Sequence, residues 1–126
     1  MKFHLVTLFQ EACDAYLSAS ILGRAREEKK ISVAYQNPRD FVENKWGKVD
    51  ERPYGGGPGM VMQAMPVVKA VEKALKSKKQ TKSVVIWFSP SAKQFTNKDA
   101  DALIKKYTDI VLVCGRYEGI DERAKK

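Results

Sequence analysis

Ile110-Val111-Leu112-Val113-Cys114-Gly115-Arg116-Tyr117-Glu118-Gly119 is an apolar run followed by a loop with a glycine at each end. The run is too short for a core helix and is β-branched, so it reads as a buried strand. A run of the same kind, Val84-Val85-Ile86-Trp87, lies within a strand expected over Ser83 to Phe88. Strands without polar alternation belong to parallel sheets covered on both faces. Between the two runs, Asn97 is read as the N-cap of a helix reaching Tyr107. Working back, Pro66 suits the first turn of a helix through Val67, Val68, Val71, Ala74 and Leu75. Lys76, Lys78, Lys79 and Lys82 form a basic exit loop. Phe3 to Phe9 reads as the first strand. Ala12 to Ala25 reads as one helix, with Ala15, Leu17, Ile21 and Leu22 at helical spacing and Gly23 as its weak point. Ile31 to Tyr35 is a short strand, and Asn37-Pro38-Arg39-Asp40 a turn. Strands alternating with helices predict an α/β domain on a parallel sheet. There is no internal repeat and no low-complexity tract.

The chain has 126 residues and a formal net charge of +8, from 23 Lys and Arg against 15 Asp and Glu. That length predicts one domain, residues 1–126. A basic domain attracts polyanions, and a lysine-rich solubilising surface gives the same charge; the balance alone favours neither. Cys13 and Cys114 show no metal-ligand spacing, and both are expected as buried thiols in a reducing cytoplasm. His4 is the only histidine and reads as a strand residue, since it has no histidine or cysteine companion. The start Met1-Lys2-Phe3-His4 lacks the apolar core of a signal peptide, and no apolar run approaches a membrane span.

In open α/β sheets, ligands bind beyond the carboxyl ends of the strands. Two loops fall there: Ser89-Pro90-Ser91-Ala92 after Phe88, and Gly115 to Gly119 after Cys114. Glycines let a backbone approach a ligand closely, and Glu118 offers an acceptor; two well-made turns would leave the same sequence trace. From Phe41 to Pro58 there is no periodicity. Its Gly55-Gly56-Gly57-Pro58-Gly59-Met60 stretch lacks the G-K-[ST] ending of a phosphate loop and the spacing of a dinucleotide fingerprint. A flexible linker is one account of it. The flanking Pro53, Tyr54 and Pro58 favour a shaped loop. Arg39 and Arg52 stand in loops beside aromatics, the combination used for phosphate contact and base stacking.

Asp50-Glu51-Arg52-Pro53-Tyr54-Gly55-Gly56-Gly57-Pro58-Gly59-Met60-Val61-Met62 resembles the signature loop of the bacterial-type tRNA (guanine-N1)-methyltransferase family, and Gly115-Arg116-Tyr117-Glu118-Gly119-Ile120-Asp121-Glu122-Arg123 its second signature. Thr7-Leu8-Phe9, Ser20-Ile21-Leu22-Gly23-Arg24-Ala25 and Asn37-Pro38-Arg39-Asp40-Phe41 are weaker matches in the expected order. The resemblance covers essentially the whole chain. Gln10, Trp46-Gly47 and Ser91-Ala92 depart from the family's pattern.

The resemblance implies a SPOUT-class α/β methyltransferase domain of trefoil-knot topology, acting as a cytoplasmic homodimer. It implies transfer of a methyl group from S-adenosylmethionine to N1 of the tRNA guanosine 3′ of the anticodon. By the same resemblance Phe88, Ser89, Pro90, Gly115, Tyr117, Glu118 and Gly119 hold the cofactor. Arg39, Asp50, Arg52, Pro53 and Gly59 face tRNA. No metal site is expected. The family's general base, an aspartate, and an assisting arginine are expected beyond Lys126, with the knot-completing segment and the tRNA-gripping domain, so no catalytic residue is assigned and little turnover is expected of these 126 residues. A non-catalytic tRNA-binding or dimerisation module, or a fragment, is the alternative.

Overall fold

The structure is a computed structural model and describes residues 1–76 and 82–125. Lys78 and Lys79 of the expected basic exit loop lie outside the described residues. Four strands, β1 (Lys2–Val6), β2 (Ser32–Gln36), β5 (Ser83–Trp87) and β6 (Asp109–Val113), form a wholly parallel sheet in the order β2-β1-β6-β5. The α/β expectation holds. Val6, Val113 and Trp87 are in register, so the loops after β1, β6 and β5 leave one edge of the sheet together.

The first strand stops at Val6, short of Phe9. Thr7 and Leu8 stay buried; the Thr7 N–H still bonds to the Gln36 carbonyl at 3.1 Å, and the Thr7 hydroxyl accepts the Phe9 N–H at 3.2 Å. The single helix expected over Ala12 to Ala25 is two: α1 (Gln10–Leu17) and α2 (Ser20–Glu27). The break falls at Ser18-Ala19, ahead of Ser20 with φ +51°. Gly23 lies inside α2 and does not end it. A Cβ there would sit 2.3 Å from the Ser18 carbonyl oxygen, so the glycine admits the end of α1. One Arg26 nitrogen donates to Asp14 (2.9 Å) and to Ser18 (2.8 Å), and the Tyr35 hydroxyl donates to Asp14 at 2.7 Å. Both helices are thereby fastened to β2. Burial and the Asp14 carboxylate push the Tyr35 hydroxyl up to about 12.

The Asn37 turn becomes a 3-10 turn, Pro38–Phe41, capped by the Asn37 side chain on the Arg39 N–H. The stretch expected to be irregular holds half of a small ribbon: β3 (Asp50–Glu51) pairs antiparallel with β4 (Val61–Met62). Val49 is completely buried beside it. Helix α3 (Ala64–Leu75) keeps Pro66 in its first turn and covers the sheet with Val67, Ala70, Val71 and Ala74. These pack on Val6, Leu8, Val111 and Val113, the apolar burial that drives such folds.

Helix α4 (Asn97–Lys106) is capped by Thr96, not Asn97. Thr96 accepts the Asp99 N–H at 3.3 Å and Asp99 returns the bond to the Thr96 N–H at 3.0 Å, a capping box whose hydroxyl fits the N3 amide. Two burial expectations also change. β5 is half-buried along its whole length, because it is an edge strand of this sheet. Cys13 and Cys114 are likewise half-buried rather than core residues, and both are free thiols.

Candidate functional site

Phe88 and Cys114 emerge side by side from the carboxyl ends of β5 and β6; the Phe88 N–H bonds to the Val113 carbonyl at 3.3 Å, and the Cys114 N–H to Val6 at 2.9 Å. The loops they begin enclose a cleft of about 510 Å³ lined by Phe88, Ser89, Pro90 and Cys114 through Gly119. All seven residues expected to hold the cofactor meet in it. Cys114 and Arg116 also line it; Arg116 belongs to the loop expected to face a ligand though it was not named among the cofactor residues, and Cys114, read as a small core residue, was missed. Tyr117 at φ +61° and Gly119 at φ +127° shape the turn. The Gly119 N–H closes it onto Arg116 at 3.3 Å. Among the described residues, the N–H groups of Gly115, Arg116 and Tyr117 meet no backbone or side-chain acceptor. Consecutive free donors of this kind suit a ligand read through main-chain contacts. The Arg116 guanidinium lies over the Phe9 ring, 5.8 Å from its centroid, which ties the loop to the end of β1.

The two signature segments are joined, which no motif announced. The Glu118 N–H donates to Met60 at 2.9 Å, the Met62 N–H to Gly119 at 2.9 Å and the Asp121 N–H to Met62 at 3.0 Å, with a parallel bridge between Met62 and Ile120. Gly59 permits this. Its φ is +88°, and a Cβ there would stand 2.7 Å from Glu118 Cγ. The one sequence signal was the glycine itself.

Glu118 also borders a second cleft, of about 680 Å³, with Pro53, Tyr54, Val61, Ile120, Asp121, Glu122 and Arg123. Arg123 holds Asp121 through Nε at 3.0 Å and reaches Glu51 at 3.6 Å. The Arg123 guanidinium and N–H hold the Asp121 carboxyl below its ordinary range, so it is an ionised, paired group. Of the residues expected to face tRNA, Pro53 lines this cleft and Gly59 touches its shared wall. Asp50 belongs to the ribbon, its carbonyl accepting from the Gln63 side chain at 3.3 Å. Arg52 is exposed. Arg39 lines neither cleft; its guanidinium donates to the Gly47 carbonyl at 2.9 Å. Among the described residues no group of three or more His, Cys, Asp or Glu could hold a metal ion, and no helix is long and apolar enough to cross a membrane.

A parallel sheet with a glycine-lined cleft at its carboxyl edge is the arrangement in which open α/β sheets hold their ligands. A family profile described as tRNA (Guanine-1)-methyltransferase TrmD matches residues 1–126, and the chain belongs to that family. It is 46% identical over 123 residues to a tRNA (guanine-N(1)-)-methyltransferase of Campylobacter jejuni, covering 98% of this chain and 51% of the relative. It is 41% identical over 121 residues to the enzyme of that name from Buchnera aphidicola, covering 96% and 50%. The solved structure of tRNA (m1G37) methyltransferase from Aquifex aeolicus superposes with a TM-score of 0.83 at 32% identity, over 99% of this chain and 55% of that one. The chain therefore spans about half the length of the curated relatives it matches.

Proposed function

We propose that these residues form the donor-binding part of an S-adenosylmethionine-dependent tRNA (guanine-N1)-methyltransferase. The observation that carries this is the meeting of Phe88-Ser89-Pro90 and Gly115–Gly119 in one cleft with free N–H donors, in a chain of this family. Those residues fit the donor. Backbone donors of Gly115, Arg116 and Tyr117 suit its polar atoms, Glu118 supplies an acceptor, and Phe88 and Pro90 supply apolar wall. When bound, the donor supplies a methyl group already activated on a sulfonium. What the protein adds is orientation and exclusion of water, which together lower the barrier to transfer.

Methylation at guanine N1 requires removal of the N1 proton and stabilisation of charge on O6. The second cleft, sharing Glu118, is the place proposed for the acceptor base, beside Pro53, Gly59 and the exposed Tyr54. The target base must leave its stack to be reached. Asp50, Arg52 and Arg39 are proposed as tRNA contacts on the approach, supported by the net charge of +8. No residue described here is assigned the base's role, and donor binding is the activity proposed for these 126 residues. A cytoplasmic setting and pairing of two copies accompany the proposal, in line with the family.

Calorimetric titration with S-adenosylmethionine tests it. Micromolar binding is expected, weakened at least tenfold by Gly115→Pro or Glu118→Ala. No binding by a chain shown to be folded by circular dichroism would overturn the assignment of the cleft.

A further inference from the structure

The edge of the sheet opposite the donor cleft is entered through lysines. β1 begins at Lys2, Lys29 and Lys30 precede β2, Lys82 precedes β5, and Lys105 and Lys106 end α4 just before β6. Lys2 is in register with Ser32 and Asp109, and Ser83 with Asp109, so the four strands start level. Backbone bonds tie these entries together. The Ser32 N–H donates to the Met1 carbonyl at 3.1 Å, the Lys2 N–H to Thr108 at 3.0 Å and the Thr108 N–H to Lys82 at 2.9 Å. The row therefore crosses about 15 Å, at about 4.8 Å per strand. Lys2 and Lys29, with Ser32, Tyr107 and Thr108, line a cleft there of about 480 Å³. Among the described residues only Lys30 of the six has a carboxylate partner, Glu28. Glu27 is exposed at the end of α2, and Asp109 is buried, engaged by the Thr108 hydroxyl at 2.8 Å and by His4 at 3.4 Å. Lys105 and Lys106 answer the carbonyl end of α4, but Lys2 and Lys82 stand on no helix. Lys29 is held at a conformational cost: its φ is +56°, in a turn after α2 that glycine makes without strain. Strain of this kind gathers at binding sites, and solubility alone would not require it.

We propose that this lysine row is a second RNA contact, which holds phosphate oxygens of the tRNA backbone on the side of the domain opposite the donor cleft. Lysine ammonium groups are mobile point charges that meet phosphates without reading bases. A row with no arginine fork therefore grips a backbone and positions the RNA, while the target guanosine is selected at the other edge. The five-residue strands set the two edges about 15 Å apart, a separation that one folded tRNA bridges. Each phosphate neutralised releases counterions, so the contact strengthens as salt falls. The identity of the RNA rests on the function proposed above; an anionic backbone as the ligand rests on the lysines alone.

The test is fluorescence anisotropy of a labelled, unmodified tRNA transcript with the 126-residue chain over a salt series. Lys29→Gly combined with Lys82→Ala is expected to weaken binding about tenfold at low salt and to flatten the slope of log affinity against log salt by about two. Lys69→Ala combined with Lys98→Ala, at exposed lysines off the row, removes the same charge and is expected to change both little. Lys29→Gly alone should weaken binding while raising the melting temperature, opposite signs that a structural role would not give. Equal weakening by the two pairs would mean that net charge alone attracts the RNA and would overturn the row. An unchanged slope in the first pair, or no tRNA binding at all, would do the same. S-adenosylmethionine titration of the unsubstituted chain is run alongside. Absent donor binding with the lysine effect intact would sink the donor cleft and leave the row standing, so the two readings fail separately.

Discussion

β6 and β5 are nearly the same strand on paper and differ in the molecule. Both have five residues, and both continue into a cleft loop. Four of the five residues of β6 are buried. No residue of β5 is. The difference is position. β6 lies between β1 and β5 under α3, whereas β5 is an edge strand beside α4, which buries no residue of its own. Side-chain chemistry sets what a strand tolerates, and topology sets how much it buries. The largest test of this places a charge in each. Val111→Asp, at a site with no exposure, is expected to cost about 4 kcal/mol or more, which is much of a domain's stability. Val85→Asp, half-buried on β5, is expected to cost about 1–2 kcal/mol. Urea unfolding followed by circular dichroism measures both, and equal losses would mean that β5 is as enclosed as β6.

The parallel sheet was legible because Val84 to Trp87 and Ile110 to Cys114 carry no polar alternation. Edge and centre were not, since pairing order is absent from a local pattern. The cleft was legible through the rule that ligands sit past strand ends. Its attachment to Gly59-Met60-Val61-Met62 was not, because backbone hydrogen bonds leave no side-chain trace beyond a glycine. Gly23 shows the same limit. Its sequence context marks a weak helix position, whereas its cause is the approach of Ser18. At α4 the sequence pointed to Asn97, and Thr96 is the cap because Asp99, standing three residues on, completes a capping box with it.

That cap supplies the intermediate test. With no buried residue in α4, its local stability leans on the ends of the helix more than α3's does. Thr96→Ala is expected to cost about 1 kcal/mol in urea unfolding, and Thr96→Ser much less. The change should also speed amide exchange through the first turn of α4 while leaving α3 unaltered. A loss below about 0.3 kcal/mol would show that packing on β5 holds the helix, and would bring the two sides of the sheet closer in character.

The smallest effect lies in the buried half itself, where β1 and β6 meet. His4 is 2% exposed, with Nε2 at 3.4 Å from Asp109 Oδ1 and Nδ1 without a partner among the described residues. Burial is the main reason its pKa lies below the ordinary 6.5; Lys2 on the same strand adds to this, and the Asp109 carboxylate opposes it. Across the strands the register places Ala34 on β2 and Val111 on β6 beside it, neither ionisable. Below 6.5 the unfolded chain takes up a proton that the folded chain resists. Stability from this group is therefore complete above about 6.5 and is lost as the pH falls from there towards the lowered folded value. One proton limits the slope to about 1.4 kcal/mol per pH unit. His4→Gln should flatten the stability profile over that window, read by urea unfolding at a series of pH values. The same slope in both proteins would mean that the pair ionises freely, and that even the covered side of the sheet admits water at its amino edge.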